Sequence, residues 1–183
     1  MSDMLSYNSN AGDLDAVKSD GAATARNADT GQITLSSATT YYVPLSGDMR
    51  DTILTPAHTA LVAVHIQWSA AIVLTVTLET CNFPHYRYGQ QITGINPTTI
   101  APPPVDVSNV DTTAGNWLQE FLSSTNVPIT GGAVASNAIT STPAAGGAMI
   151  HIGNLGSKRA RLKLVVGGTG GTVRVNKRGK QGV

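Results

Sequence analysis

The chain has 183 residues, which is enough for one domain with a hydrophobic core but cramped for two. Charged residues make up 13% and hydrophobic residues 41%, with a formal net charge of +1, and this balance excludes a disordered chain. The single cysteine, Cys81, excludes an internal disulfide and a cysteine-based zinc site. Because neither a membrane-spanning apolar run nor a signal-peptide pattern occurs, we expect synthesis in a reducing cytoplasm and no membrane partner.

The first thirty residues are polar and show no hydrophobic periodicity. We therefore predict an extended N-terminal arm over residues 1–30 and a single β-sandwich domain over residues 31–183. Apolar side chains then alternate with polar ones in two short stretches, residues 33–35 and 41–45, which predicts two short strands.

The clearest alternation lies in residues 62–68 and 72–78, which are separated by the short link Ser69–Ala71. This pattern predicts two strands that pair as a hairpin and bury one face. Together with the strand around residue 163, they predict one shared core, whose expected members are Val64, Ile66, Trp68, Leu74, Val76, Leu162 and Leu164.

Residues 82–110 contain five of the nine prolines and predict a long loop excursion. Residues 115–132 fit either a strand or a short helix, and we favour the strand. The next segment, residues 133–147, indicates only a weak edge strand and a loop.

The run GGTGG, residues 167–171, follows an apolar alternation that ends at Val166 and precedes the strand pattern Thr172–Val175. A phosphate-binding P-loop would open a helix and end in Lys-Ser or Lys-Thr, and neither feature is present. We therefore interpret the run as the turn of a second hairpin. Roughly eight strands without a strong helix predict an all-β, antiparallel β-sandwich or jelly roll.

Charge is distributed unevenly along the chain. Residues 1–120 hold four basic residues and eleven acids, for a charge of −7, whereas residues 121–183 carry +8 and no acid. The alternation after residue 158 predicts that the basic side chains point away from the core as a row. We interpret this basic face as a contact for an acidic partner surface, formed by Arg159, Arg161, Lys163, Arg174, Lys177, Arg178 and Lys180. No aromatic residue follows Phe121, so direct nucleic-acid binding is not expected.

No pattern in the chain predicts a catalytic, cofactor or metal site, and we expect a non-enzymatic protein. The four histidines, His58, His65, His85 and His151, lack the spacing of metal ligands. Cys81 has no basic neighbour and fits a buried thiol. Glu79 is the one acid in the strongest strand pair, where it could pair with a basic residue across the sheet or at an interface.

Two segments, VAVHIQWSAAIVLTVTLETCNF (62–83) and GGAMIHIGNLGSKRARLKLVVGGTGGTVRV (146–175), resemble those of tailed-bacteriophage virion proteins, in particular jelly-roll capsid cement (decoration) proteins. The resemblance implies a protein of the virion without a cofactor, which stabilises the shell by contacting the major capsid protein and neighbouring copies of itself. It carries over no individual functional residue.

Two alternatives stay open. One is another virion component, such as a head–tail connector, a tail protein or a spike. The other is a carbohydrate-binding sandwich, in which Trp68, Tyr86, Tyr88 or Trp117 would provide a stacking platform for a sugar.

Overall fold

The computed structural model describes residues 12–45, 59–81, 110, 112, 117–152 and 159–181. All the regular structure in these ranges is β-strand, and none of these residues belongs to a helix that could cross a membrane. The strands, in chain order, are β1 (Gly12–Asp13), β2 (Ala16–Lys18), β3 (Ala23–Thr24), β4 (Gln32–Leu35), β5 (Thr39–Pro44), β6 (Thr59–Trp68), β7 (Leu74–Cys81), β8 (Leu118–Gln119), β9 (Ile129–Thr130), β10 (Gly132–Ala135), β11 (Ala138–Ser141), β12 (Gly146–Ile152), β13 (Arg159–Val166) and β14 (Gly171–Gln181).

The strands form two antiparallel sheets that pack face to face, so the predicted all-β sandwich is confirmed. The six-stranded sheet has the order β1-β14-β6-β12-β9, with β4 also paired to β14. The eight-stranded sheet has the order β10-β11-β7-β13-β5-β2-β3, with β8 also paired to β7. The strand count exceeds the expected eight because several strands are pairings of only two or three residues.

The core lies between the sheets and consists of apolar side chains that both sheets contribute at alternate positions. All seven residues predicted for it are buried there, and Trp68 is only 4% exposed. The alternating pattern predicts these core residues correctly because successive side chains of a strand point to opposite faces. If one apolar residue faces the core, every second residue along the strand also faces it.

The predicted hairpin of β6 and β7 is wrong, because the two strands belong to different sheets. β6 pairs with β14 and β12, whereas β7 pairs with β13 and β11. The link of residues 69–73 crosses from one sheet to the other. Ala71 there has a φ of 67°, and its N–H donates to the Pro143 carbonyl oxygen at 2.9 Å. An apolar strand face is buried equally well by a facing sheet, so alternation alone does not identify the hydrogen-bonded neighbour.

The GGTGG run is likewise a crossing and not a hairpin turn. β13 lies in the eight-stranded sheet and β14 in the six-stranded sheet. The Gly167 carbonyl oxygen accepts from the Ala38 N–H and the Gly167 N–H donates to the Val73 carbonyl oxygen, which ties three inter-sheet links together at this end of the sandwich. A β-carbon at Gly170 would approach the Leu35 carbonyl oxygen to 2.5 Å, so this close approach of backbones requires glycine.

The chain changes sheet at almost every step between the longer strands. In the six-stranded sheet, four of them have the order β4-β14-β6-β12. In the other sheet, four have the order β5-β13-β7-β11. Consequently β4, β6, β12 and β14 each have a sequence neighbour in the opposite sheet, and the core holds the two sheets together.

The prediction of an extended arm over residues 1–30 is wrong for residues 12–30. β1 pairs with β14, and β2 pairs with both β5 and β3. Ala16 is fully buried in the core. These strands have only two or three residues, and an alternating apolar pattern cannot be recognised over so short a stretch of sequence. Residues 1–11 lie outside the described residues.

The two remaining segments of the sequence prediction have different outcomes. The described part of residues 115–132 contains no helix, and strand is correct only for the two-residue strands β8 and β9, because residues 120–128 between them are irregular or form a turn. The excursion predicted at residues 82–110 lies outside the described residues, apart from Val110.

We expect Trp68→Ala to lower the free energy of unfolding by about 3–5 kcal/mol, because it removes a buried ring and leaves a cavity. Chemical denaturation measures the change. Gln67→Ala is the matched control, since Gln67 is exposed on the opposite face of the same strand, and it should change stability by less than about 0.5 kcal/mol. Equal effects of the two substitutions would contradict the face assigned to Trp68.

Candidate functional site

The basic side chains of β13 point to the outer face of the eight-stranded sheet, opposite the core. Ala160, Leu162 and Leu164 are buried in the core, so the alternate residues Arg161 and Lys163 face outward. Arg161 is nevertheless only 2% exposed. The expected solvent-facing row is therefore wrong at Arg161, because other side chains cover it on the outer face.

Arg161 forms a buried ion pair with Glu79, which lies directly opposite it on β7. The guanidinium Nε and Nη2 each lie 2.7 Å from Glu79 Oε2. Lys163 Nζ lies 3.8 Å from the other carboxylate oxygen, Oε1. Of the two kinds of partner considered for Glu79, a basic residue across the sheet or one at an interface, the structure shows the first. The carboxylate compensates the charge that burial of Arg161 would otherwise leave unpaired.

Two aromatic rings contact the same guanidinium group. Its Cζ atom lies 4.1 Å from the ring centroid of Tyr42 and 4.0 Å from that of Trp117. Tyr42 belongs to β5, the neighbour of β13 on the side away from β7. We call Arg161, Glu79, Tyr42 and Trp117 the Arg161 cluster. A planar guanidinium suits this position because it can donate to a carboxylate and contact aromatic rings at once.

Trp117 begins a segment, residues 117–122, that we call the strap. β8 within it pairs with β7, and the Glu120 N–H donates to the Leu78 carbonyl oxygen at 2.8 Å. The Thr80 hydroxyl donates to the Glu120 carboxylate. The strap ends at Leu122, which is buried in the core. These contacts fix the strap along the end of β7.

Two large apolar side chains of the strap face solvent. Leu118 is 60% exposed and Phe121 is 70% exposed. The neighbouring Gln119 side chain donates to the carbonyl oxygens of Ser136 and Asn137 at 3.2 and 2.9 Å. The strap therefore presents apolar surface from a backbone that is fixed to the eight-stranded sheet.

Arg174 of β14 is paired within the chain as well. Its Nε lies 2.8 Å from Asp13 Oδ1 and its Nη2 lies 3.0 Å from Oδ2, while the Asn176 amide donates to Oδ1 at 3.1 Å. The hydrogen bond from Arg174 lowers the pKa of Asp13 below its usual 3.8, although partial burial opposes this shift. A β-carbon at Gly31, whose φ is 67°, would overlap the Asp13 carboxylate, so this pair also depends on glycine.

The remaining members of the predicted basic face differ in exposure and in their contacts. Lys177 is half-buried and its Nζ donates to the Leu45 carbonyl oxygen at 2.6 Å. Arg178 is exposed and forms no ion pair with any residue that the structure describes. The side chains of Arg159 and Lys180 lie outside the description. The structure therefore does not bring the seven residues together as one exposed face, and Arg161 and Arg174 neutralise acids of the same chain.

Sequence reasoning missed Tyr42 and the role of Trp117. Trp117, one candidate sugar platform, packs on Arg161, and Trp68, another candidate, is buried in the core. Tyr86 and Tyr88 lie outside the described residues. The sequence feature that points to the cluster is Glu79, the one acid in a strand of apolar and threonine residues. If such an acid is buried, its charge requires a cation nearby.

The histidines that the structure describes lie on strands, with His65 half-buried and His151 exposed. Among the described residues, no three His, Cys, Asp or Glu side chains are grouped so as to hold a metal ion. Cys81 is a buried free cysteine, as expected. His58 and His85 lie outside the described part of the chain.

Comparison with known proteins finds no matching family model, no similar curated sequence and no similar solved structure.

We expect the stability contribution of Asp13 to depend on pH. Because the folded-state pKa of Asp13 is lowered, the contribution is fully present above the usual pKa of 3.8 and is lost as the pH falls through the folded-state value. Urea denaturation of wild type and Asp13→Asn should show a constant stability difference above about pH 5 that shrinks below about pH 4.

Asp29→Asn is the control for this titration, since Asp29 is an exposed acid of the same N-terminal region. A difference between wild type and Asp13→Asn that stays constant down to the lowest pH would contradict the pairing of Asp13 with Arg174.

Proposed function

We propose that this chain is a non-enzymatic structural protein of a bacteriophage virion, most specifically a cement protein. It would bind the outside of the major capsid shell across subunit boundaries, next to further copies of itself. Each copy would add a modest contact area, and many equivalent copies would stabilise the shell collectively.

The strand order is the observation that carries this proposal. The order β4-β14-β6-β12 opposite β5-β13-β7-β11 is compatible with the two Greek keys of a jelly roll and supports that finer assignment of the sandwich. Viral capsid proteins are one of the main groups that use this architecture, and lectins are another. The resemblance of residues 62–83 and 146–175 to phage virion proteins favours the first group.

The packing between the sheets supports a function at the surface. In the part of the chain that the structure describes, both inner faces consist of closely packed apolar side chains such as Ile66, Leu164 and Val175. A ligand between the sheets would have to displace this core. Binding by an outer surface is compatible with it, and a cement protein acts in that way.

The exposed apolar side chains of the strap provide a contact of the required kind. Leu118 and Phe121 lie on a segment whose backbone is already fixed, so a partner could cover them with little loss of backbone entropy. Lys163, on the outer face of the same sheet, provides part of a basic contact because it also lies near Glu79, whereas Arg178 is an exposed cation of the six-stranded sheet.

Co-sedimentation with capsid shells purified from the encoding phage tests the proposal. We expect saturable binding to shells and no binding to isolated tails. The double variant Leu118→Ser/Phe121→Ser should bind at least about tenfold more weakly, as the loss of two large apolar contacts predicts. Val73→Ser is the matched control, because Val73 is also exposed, at 52%, but lies on the link between β6 and β7.

The basic contacts are tested with the single variants Lys163→Gln and Arg178→Gln at low and high salt, because the two residues lie on different sheets and each should weaken binding only if its own sheet faces the shell. We do not replace Arg161, because its loss would leave Glu79 buried without its main partner. Binding to tails or to a glycan panel, with none to shells, would overturn the cement proposal and favour the corresponding alternative.

A further inference from the structure

The Arg161 cluster joins four separate parts of the chain. Tyr42, Glu79 and Arg161 come from three adjacent strands, β5, β7 and β13, and Trp117 comes from the strap. Arg161 is almost fully buried although it lies on the outer face of a sheet. Trp117 is the one member of the cluster that does not lie on a strand of the sheet, so its indole links the strap to the outer face of the sheet.

The backbone pairing of the strap is short. β8 has two residues, and its ladder with β7 joins Glu79 to Gln119 and Thr80 to Leu118. Two-residue pairings are marginal on their own, because few hydrogen bonds offset the entropy of ordering the chain. The hydrogen bonds of Gln119 and Glu120 and the burial of Leu122 hold the later part of the strap, and the contact of Trp117 with Arg161 holds its beginning.

We propose that the Arg161 cluster is a clamp that holds the strap on the outer face of the eight-stranded sheet. Glu79 fixes the orientation of the guanidinium group, and the guanidinium group, flanked by Tyr42, provides the surface on which the Trp117 indole packs. Loss of the clamp releases residues 117–120, while the sandwich core, which includes Leu122, stays folded. This proposal is independent of the cement function, because it concerns only contacts within the chain.

Lysine cannot replace arginine in the clamp. Its ammonium group is a compact, strongly hydrated charge, whereas guanidinium is planar, weakly hydrated and able to stack on rings while it donates to a carboxylate. Arg161→Lys therefore keeps the charge opposite Glu79 but loses the surface for Trp117. Trp117→Leu removes the contact from the strap side and leaves the ion pair with Glu79 in place.

Hydrogen exchange followed by mass spectrometry on the full chain tests the clamp. In Trp117→Leu and in Arg161→Lys, exchange in a peptide covering residues 118–120 should accelerate on the order of tenfold, as expected for the loss of a desolvated cation–π contact. The Glu120 amide, which donates to the Leu78 carbonyl oxygen, is the main reporter. Trp117→Phe should restore most of the protection, because it keeps an aromatic ring.

Arg174→Lys is the matched control, since Arg174 is ion-paired to Asp13 on the other sheet and does not contact the strap. It should leave exchange at residues 118–120 unchanged. Peptides from β6 and β14 report on the core and should stay protected in all four variants.

Wild-type protection of the strap in both Trp117→Leu and Arg161→Lys would overturn the clamp. A loss of protection in all strands of Arg161→Lys, combined with unchanged strap exchange in Trp117→Leu, would also overturn it. In that case Arg161 would contribute to general stability and would not hold the strap.

Discussion

The structure depends on the burial of two apolar sheet faces against each other. Each of the long strands presents one side of alternating Val, Ile, Leu or Trp, and no single sheet could bury that side on its own. At roughly 25 cal/mol per Å² of apolar surface removed from water, this burial is the main favourable term available to a chain with so few charges. Because consecutive strands lie in different sheets, the links between them cross from one sheet to the other. The close backbone contacts of Gly167 and Gly170 occur in one of these links.

The second constraint is the separation of charge along the chain. The acids lie in the first two thirds of the sequence and most cations in the last third. Folding brings the two together, because β14 lies beside β1 and β13 lies beside β7. Arg174 then meets Asp13, and Arg161 meets Glu79. Part of the charge asymmetry that indicates an external acidic partner is therefore used within the molecule.

The two ion pairs differ in what they do. The pair of Asp13 and Arg174 is partly exposed and attaches the first described strand to the six-stranded sheet, so salt and acid weaken it. The pair of Glu79 and Arg161 is buried. A buried pair contributes little net stability, but loss of one partner is strongly destabilising. The main effect of this pair is therefore to fix the orientation of the Arg161 guanidinium group. On the proposed cement function, this arrangement leaves the strap on the eight-stranded sheet, and separately Arg178 on the six-stranded sheet, as described surfaces that a shell could contact.

The sequence by itself determined the fold class, the inward residues and the strand character of the long segments. It could do so because strand alternation has a period of two and a buried face admits only apolar side chains. It also identified a basic residue across the sheet as one of two possible partners for Glu79. Which strands pair was decided by the tertiary structure: β6 and β7 satisfy the same pattern as a hairpin or as strands of facing sheets. The tertiary structure also decided that Arg161 is covered, because an outward position becomes solvent-exposed or buried according to whether a distant residue, here Trp117, packs on it.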